Sequence, residues 1–212
     1  MTDDVWALDL VEEVEVPGWL YIPRDLGPVE RREWIDTVQD ELVGEVGWDG
    51  VPISADVVNE MLTSALEDRD RTDSIAMFQV WPTFGGDAAT CHIGIFPTAE
   101  MPDWTDSDAV VHLFEAPHIG PGIQCSTKRI VPNDGGPDIE LSGVHFIFRD
   151  GESTLVVSLA EAFDPLTVYA LRGVLALLHS LRLVRPDTGQ PFQSVAFDGV
   201  LEESPWRFEE SA

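Results

Sequence analysis

Trp6, Leu8, Leu10, Val14 and Val16 share one parity, while Asp9, Glu13 and Glu15 occupy the other. A period of two marks a half-buried strand. Pro17-Gly18 breaks it, and Trp19 to Ile22 reads as a return strand or an extended arm. From Pro28 the period lengthens. Trp34, Ile35, Val38 and Leu42 recur at helical spacing behind a proline whose missing N–H is harmless in a first turn, and Gly44 can end this helix. Ser54 is a good N-cap for a second helix, with Asp56 in its first turn. Val57, Val58, Met61, Leu62, Ala65 and Leu66 share one face of it, and Glu67 to Arg71 is a solvated exit.

The middle of the chain is strand-like. Ile75 to Trp81 is a nearly unbroken apolar run closed by Pro82, which predicts a strand covered on both faces. Cys91 to Phe96, Ala109 to Phe114 and Ile123 to Val131 are further strands, with Pro97 to Asp108 and Asn133 to Asp138 as loops. Asp150-Gly151 between Val144–Phe148 and Thr154–Leu159 is a hairpin signal, because both turn residues tolerate a positive φ. Asp164-Pro165 then starts a helix as N-cap and N1. Leu166, Leu171, Val174, Leu175, Leu178 and Leu181 form its apolar face, Arg182 and Arg185 suit its C-terminal dipole, and Pro186 stops it. The pattern predicts an α+β domain over 1–186. A mainly antiparallel sheet is packed by helices near 28–43, 54–68 and 165–183, in an α/β/α-like sandwich. Residues 187–212 form an acidic tail with aromatic anchors at Phe197, Trp206 and Phe208, expected to dock on the body or on a partner. Laid over the open edge expected at the first strand or at the Val144–Leu159 hairpin, it would cover unpaired backbone.

Composition adds one strong signal. Thirty-nine acidic residues stand against twelve basic ones, and the formal net charge is -27 over 212 residues. Lys128 is the only lysine. Such a surface repels nucleic-acid phosphates and anionic lipid, so nucleic-acid and membrane-surface roles are excluded, and encounter with a basic protein partner is favoured. A hydrophobic fraction of 44% is enough to fill a core, so the charge does not signal global disorder. A high-salt or GC-rich source would also give this bias. Met1 to Leu10 lacks the pattern of a signal peptide, and no apolar run approaches the ~20 residues of a membrane helix, so a cytoplasmic, reduced-thiol setting is expected.

Candidate chemistry is sparse. Cys91, His92, His112, His118 and Cys125 lie close in sequence, but their spacing matches no metal-ligand or Cys–His catalytic pattern. Two buried cysteines and assorted loop histidines are the plainer reading. Asp103, Asp106 and Asp108 lack the glycine and terminal glutamate of a calcium loop. Gly85-Gly86 and Gly135-Gly136 sit beside Asp87 and Asp134, which would repel phosphate, and read as turns. No cofactor and no metal is expected. Trp34, Trp48, Trp104, Trp206 and Phe208 are the candidates for an aromatic partner-binding surface rimmed with acid.

The early "VPGWLYIP" and the late "FIFRDGESTLVVSLAEAFDPLTVYALRGVLALLHSLRL" resemble the PsbP-like α/β/α superfamily. Trp19 and Pro23 answer its early strand, and Ser180-Leu181 its closing helix step. The likeness covers the two ends better than Ser54 to Gly143. It implies a non-catalytic adaptor or assembly factor and carries over no site residues. The expectation is therefore a non-enzymatic acidic protein (an adaptor, a chaperone-like factor or an immunity-type inhibitor) that recognises a basic protein partner, with self-association left open. The rival expectation is an enzyme or small-ligand protein with His112, His118 and Cys125 lining a pocket between sheet and helices.

Overall fold

A computed structural model of the chain describes residues 6–11, 19–43, 52, 54–84, 87–101, 110–133 and 136–197. In chain order the elements are β1 (Ala7–Leu10), β2 (Trp19–Tyr21), α1 (Pro28–Leu42), α2 (Ala55–Arg71), β3 (Ala76–Phe84), β4 (Asp87–Pro97), β5 (Val110–Ala116), β6 (Gly120–Val131), β7 (Ile139–Arg149), β8 (Ser153–Phe163), α3 (Asp164–Ser180) and β9 (Leu181–Val184). Seven strands form one antiparallel sheet in the order β2-β3-β4-β8-β7-β6-β5, and β1 pairs with β9 in a separate two-stranded ribbon. The fold is α+β with a mostly antiparallel sheet and three helices, as the periodicities imply.

The two faces of the sheet carry different cores because strand side chains alternate. On one face, Val80, Cys91, Ile93, Phe146, Val157 and Leu159 pack with Leu166, Val174 and Leu178 of α3 and with Leu181 and Leu183 of β9. On the other, Met77 and Ile22 pack beneath α1 and α2 through Ile35, Val38, Val58, Leu62 and Leu66. Next to that second cluster lies a smaller patch of Ile123, Cys125, Ile147 and Val156, with Phe96, Met101 and Phe197 against it. Gly122 is dictated by packing. A Cβ there would lie 2.5 Å from the Phe148 ring and 2.6 Å from the Ile147 carbonyl oxygen.

The helix starts follow local chemistry. Gly27 caps α1, with its N–H donating to Glu30 Oε2 at 2.8 Å, and Pro28 follows. Ser54 Oγ accepts from Val57 N–H at 3.4 Å at the start of α2. That helix runs past residue 68 because Arg69 turns inward. Only 2% exposed, Arg69 donates to the Ser74 carbonyl at 2.9 Å, to Ser74 Oγ at 3.0 Å and to the Ile75 carbonyl at 3.3 Å. It ties the end of α2 to the start of β3.

Several local expectations are corrected. α3 starts one residue early, with Phe163 as N-cap, and the Asp164 carboxylate accepts from Ser142 Oγ at 2.8 Å. It ends at Ser180 without a proline. Beyond it the period becomes two, with Leu181 and Leu183 buried and Arg182 exposed, so the arginine pairs with Asp9 across β1 instead of capping the helix. Between β7 and β8 only Gly151 has a positive φ, at 101°, and Asp150 Oδ1 accepts from the backbone N–H groups of Glu152 and Ser153. This hairpin lies in the middle of the sheet, so the edges are β2 and β5. The first strand and Trp19–Tyr21 do not pair with each other, since β2 joins β3. Residues 187–197 lie along the body. Phe192, which no periodicity marks, is buried with its ring 5.5 Å from Trp6, and Val195 N–H donates to the Arg149 carbonyl at 2.7 Å.

Candidate functional site

Strand register builds a polar row across the sheet face shared with α1 and α2. His92 of β4 stands opposite Ser158 of β8, Ser158 opposite His145 of β7, and His145 opposite Cys125 of β6. Cross-strand neighbours have Cβ atoms roughly 4.5–5.5 Å apart, so these four residues stand side by side on one face across four strands. His145 Nδ1 lies 2.7 Å from Ser158 Oγ. Beyond the β7–β8 irregularity at Ser142/Val144, Glu161 accepts both Nε and Nη2 of Arg129, at 2.9 and 2.7 Å.

Burial sets the electrostatics of the row. Loss of water pushes the Cys125 pKa up to about 11, which keeps its thiol protonated at neutral pH. Cys91, on the opposite face under α3, is pushed up to about 12 for the same reason. His92 is held below the ordinary imidazole range, first by burial and then by the Arg69 charge, with Asp68 opposing. Burial lowers His145 as well, against the pull of Glu161. The row thus holds a neutral thiol and two imidazoles that resist protonation, with one hydrogen bond, between His145 and Ser158, joining two of its members. His92 Nδ1 has no hydrogen-bond partner among the described residues, nor has Arg69 Nε. Among those residues no group of three His, Cys, Asp or Glu side chains is placed to hold a metal ion.

A separate cleft of about 620 Å³ opens at the end of the β7–β8 hairpin, lined by Trp6, Asp150, Glu152, Arg185, Gln190, Pro191 and Gln193. The Arg185 guanidinium sits 4.8 Å above the Trp6 ring, a cation–π arrangement. Carboxylates and amides around an aromatic wall give acceptors for a cationic group.

The residues singled out from sequence fall in different places. His112 pairs with Gln124, while Cys125 pairs with Val111, so adjacent register positions send His112 and Cys125 to opposite faces. His118 lies in the β5–β6 turn, where its carbonyl accepts from Gln193 Nε2 at 3.3 Å. The three do not come together. Trp34 is half-buried and packs on the cluster beneath α1 and α2. Trp48, Trp104, Trp206 and Phe208 lie outside the described residues, as do Asp103, Asp106, Asp108, Asp134 and the Gly85-Gly86 pair. His145 and Ser158 were missed because nothing in their spacing shows that β7 and β8 set them side by side. The alternation of β7 and β8 together with the hairpin register was the only available signal.

The charges segregate by layer. α1 and α2 carry Glu30, Glu33, Asp36, Asp40, Glu41, Asp56, Glu60, Glu67, Asp68 and Asp70, all exposed. Arg31 pairs with Asp70, and Arg71 lies 2.9 Å from Asp68. α3 has Asp164 as its one carboxylate. No helix among the described residues is long and apolar enough to cross a membrane. Compared with known proteins, the chain matches no family model, no curated protein and no solved structure.

Proposed function

We propose that this chain is a non-enzymatic binding or assembly protein of the PsbP-like kind, acting in the cytoplasm and recognising a basic protein partner through the outer surface of α1 and α2. The observation that carries this reading is the gathering of ten exposed carboxylates on those two helices, set against one on α3. Arg31, Arg32 and Arg71 offset part of this charge, and the acidic excess that remains speeds encounter with a partner of opposite charge. Trp34 lies at the base of the layer, where it anchors α1 to the core and holds the charged surface in place. The hairpin-end cleft, with Asp150 and Glu152 on its wall, supplies a second place for a cationic side chain.

The test is capture from native lysate at low salt by the wild-type chain and by a variant with Asp36→Asn, Asp40→Asn, Asp56→Asn and Glu60→Gln. The wild type should retain a basic protein whose association rate falls with added salt, because exposed charges are screened beyond ~8 Å at physiological ionic strength. The variant should bind the same protein at least ten-fold more slowly. Equal capture by both chains would remove the α1–α2 surface from recognition.

A further inference from the structure

The cleft at the end of the β7–β8 hairpin is walled mainly by acceptors. Asp150 Oδ1 takes the N–H groups of Glu152 and Ser153, which leaves Oδ2 as an acceptor. Glu152 adds a second, exposed carboxylate. Gln193 gives its Nε2 to the His118 carbonyl and keeps its amide oxygen. Two carboxylates against one guanidinium leave the wall of this 620 Å³ cleft net negative, in a chain whose formal charge is -27. A ligand suited to it brings N–H donors and positive charge. The chain itself seats such a group there. The Arg185 guanidinium lies 4.8 Å over the Trp6 ring, and Phe192, 5.5 Å away, packs edge-on against the same indole. Trp6 is only 6% exposed, so a second cation reaches its face only where Arg185 leaves it.

We propose that this cleft takes an arginine side chain of the partner, in exchange with Arg185. The proposal rests on the reading of the chain as a binder of basic proteins, and it names the side chain that the cleft selects. A guanidinium suits the site better than an ammonium. Its flat face stacks on an indole, and its fork of N–H donors reaches carboxylate and amide oxygens together, whereas lysine presents a point charge. The exchange needs no change of fold. Arg185 N–H donates to the Gln190 carbonyl at 2.9 Å, and the Arg185 carbonyl accepts from Gly189 N–H at 2.7 Å, so the backbone of this turn stays fixed while the side chain swings. Arg185 is therefore an internal competitor. While it holds the ring, the cleft is available for only part of the time, and the apparent affinity for an incoming arginine falls by that fraction. Weak cations are turned away, and an arginine that also meets Asp150 and Glu152 is admitted.

The experiment is an NMR titration of the full chain with an acetylated and amidated Gly-Arg-Gly peptide, read at the Trp6 indole N–H and the Gly151 amide. The peptide should move both signals to saturation. Its lysine counterpart should bind about three-fold more weakly or worse, and its citrulline counterpart, which keeps the shape and loses the charge, should move neither. Glu152→Gln should weaken binding about three-fold or more, with an unchanged circular dichroism spectrum. Arg185→Gln should bind about three-fold more tightly, because the competitor is gone. Arg185→Lys keeps the charge but stacks less well, so it too should bind more tightly than the wild type, which separates exchange from simple removal of a like charge. The variant with Asp36→Asn, Asp40→Asn, Asp56→Asn and Glu60→Gln should bind the peptide as the wild type does, so failure of the α1–α2 surface and failure of the cleft are distinct results. Equal shifts from the citrulline peptide overturn the proposal, as does an Arg185→Lys chain that binds no better than the wild type. A lysine peptide that binds as tightly as the arginine peptide overturns the choice of a guanidinium.

Discussion

The two helical layers of this sandwich differ in almost every physical respect. α3 buries nine of its seventeen residues against the sheet, and its cluster gathers most of the buried apolar side chains. α1 and α2 together rest on a cluster of eight buried residues and turn ten carboxylates to solvent. The contrast separates two duties. α3 holds the molecule together, and the α1–α2 layer gives it its charged surface at little cost to the core.

The largest expected effect tests that division directly. Leu178→Ala, in the fully buried face of α3, should destabilise by about 3–5 kcal/mol, and Ile35→Ala, on the smaller α1–α2 core, by about 2 kcal/mol. Urea unfolding of both variants measures the difference. Equal losses would show that the two layers share the burden and that the contrast is false.

Arg69 is the next lever, because it fastens the charged layer to the sheet. Arg69→Met removes the donors to the buried Ser74 carbonyl and hydroxyl and to the half-buried Ile75 carbonyl, and should cost about 2–4 kcal/mol. Hydrogen exchange should speed first in α2, ahead of α3. If α3 amides loosen equally, the layers unfold as one unit.

The smallest effect is the pH response of the polar row. His92 and His145 are both lowered by burial, so the folded chain binds fewer protons than the unfolded one below the ordinary imidazole pKa of about 6.5. Their contribution is fully present above that pH. It is lost as pH falls from there through the folded-state values, and below those values the loss is complete. The double variant His92→Gln, His145→Gln should flatten the stability profile over that window in thermal melts at closely spaced pH. An unchanged slope would place the acid sensitivity among the carboxylates.

Periodicity alone located all three helices to within a few residues and most of the strands. Val58, Leu62, Leu66 and Leu166, Val174, Leu178 recur at helical spacing, and local spacing survives in any packing. What stayed hidden was set by partners far apart in the chain. β4 pairs with β8 through Ile93 and Val157, and β1 with β9 through Leu8 and Leu183. No local pattern encodes those choices. The polar row shares this origin, since Cys125, His145, Ser158 and His92 become neighbours only once the strand order is known. His112 and Cys125 show the converse. They are close in sequence and sit on neighbouring strands, yet the parity of one residue sends them to opposite faces. Phe192 stood alone among polar neighbours, so its role as the cap on Trp6 had no periodic trace.

The β1–β9 ribbon also dictates a schedule. Leu8 and Trp6 emerge from the ribosome early, yet their partners Leu183 and Phe192 come after nearly every other described element has been made. Until then Trp6 lacks the ring of Phe192 and the guanidinium of Arg185, and the loop that must close is almost as long as the described chain. The sheet and α3 can assemble while the nascent chain is still lengthening, whereas the ribbon must wait. It is a latch set last, and it should be the first part of the α3 side to spring open when the folded chain is pulled apart at Ala7 and Val184.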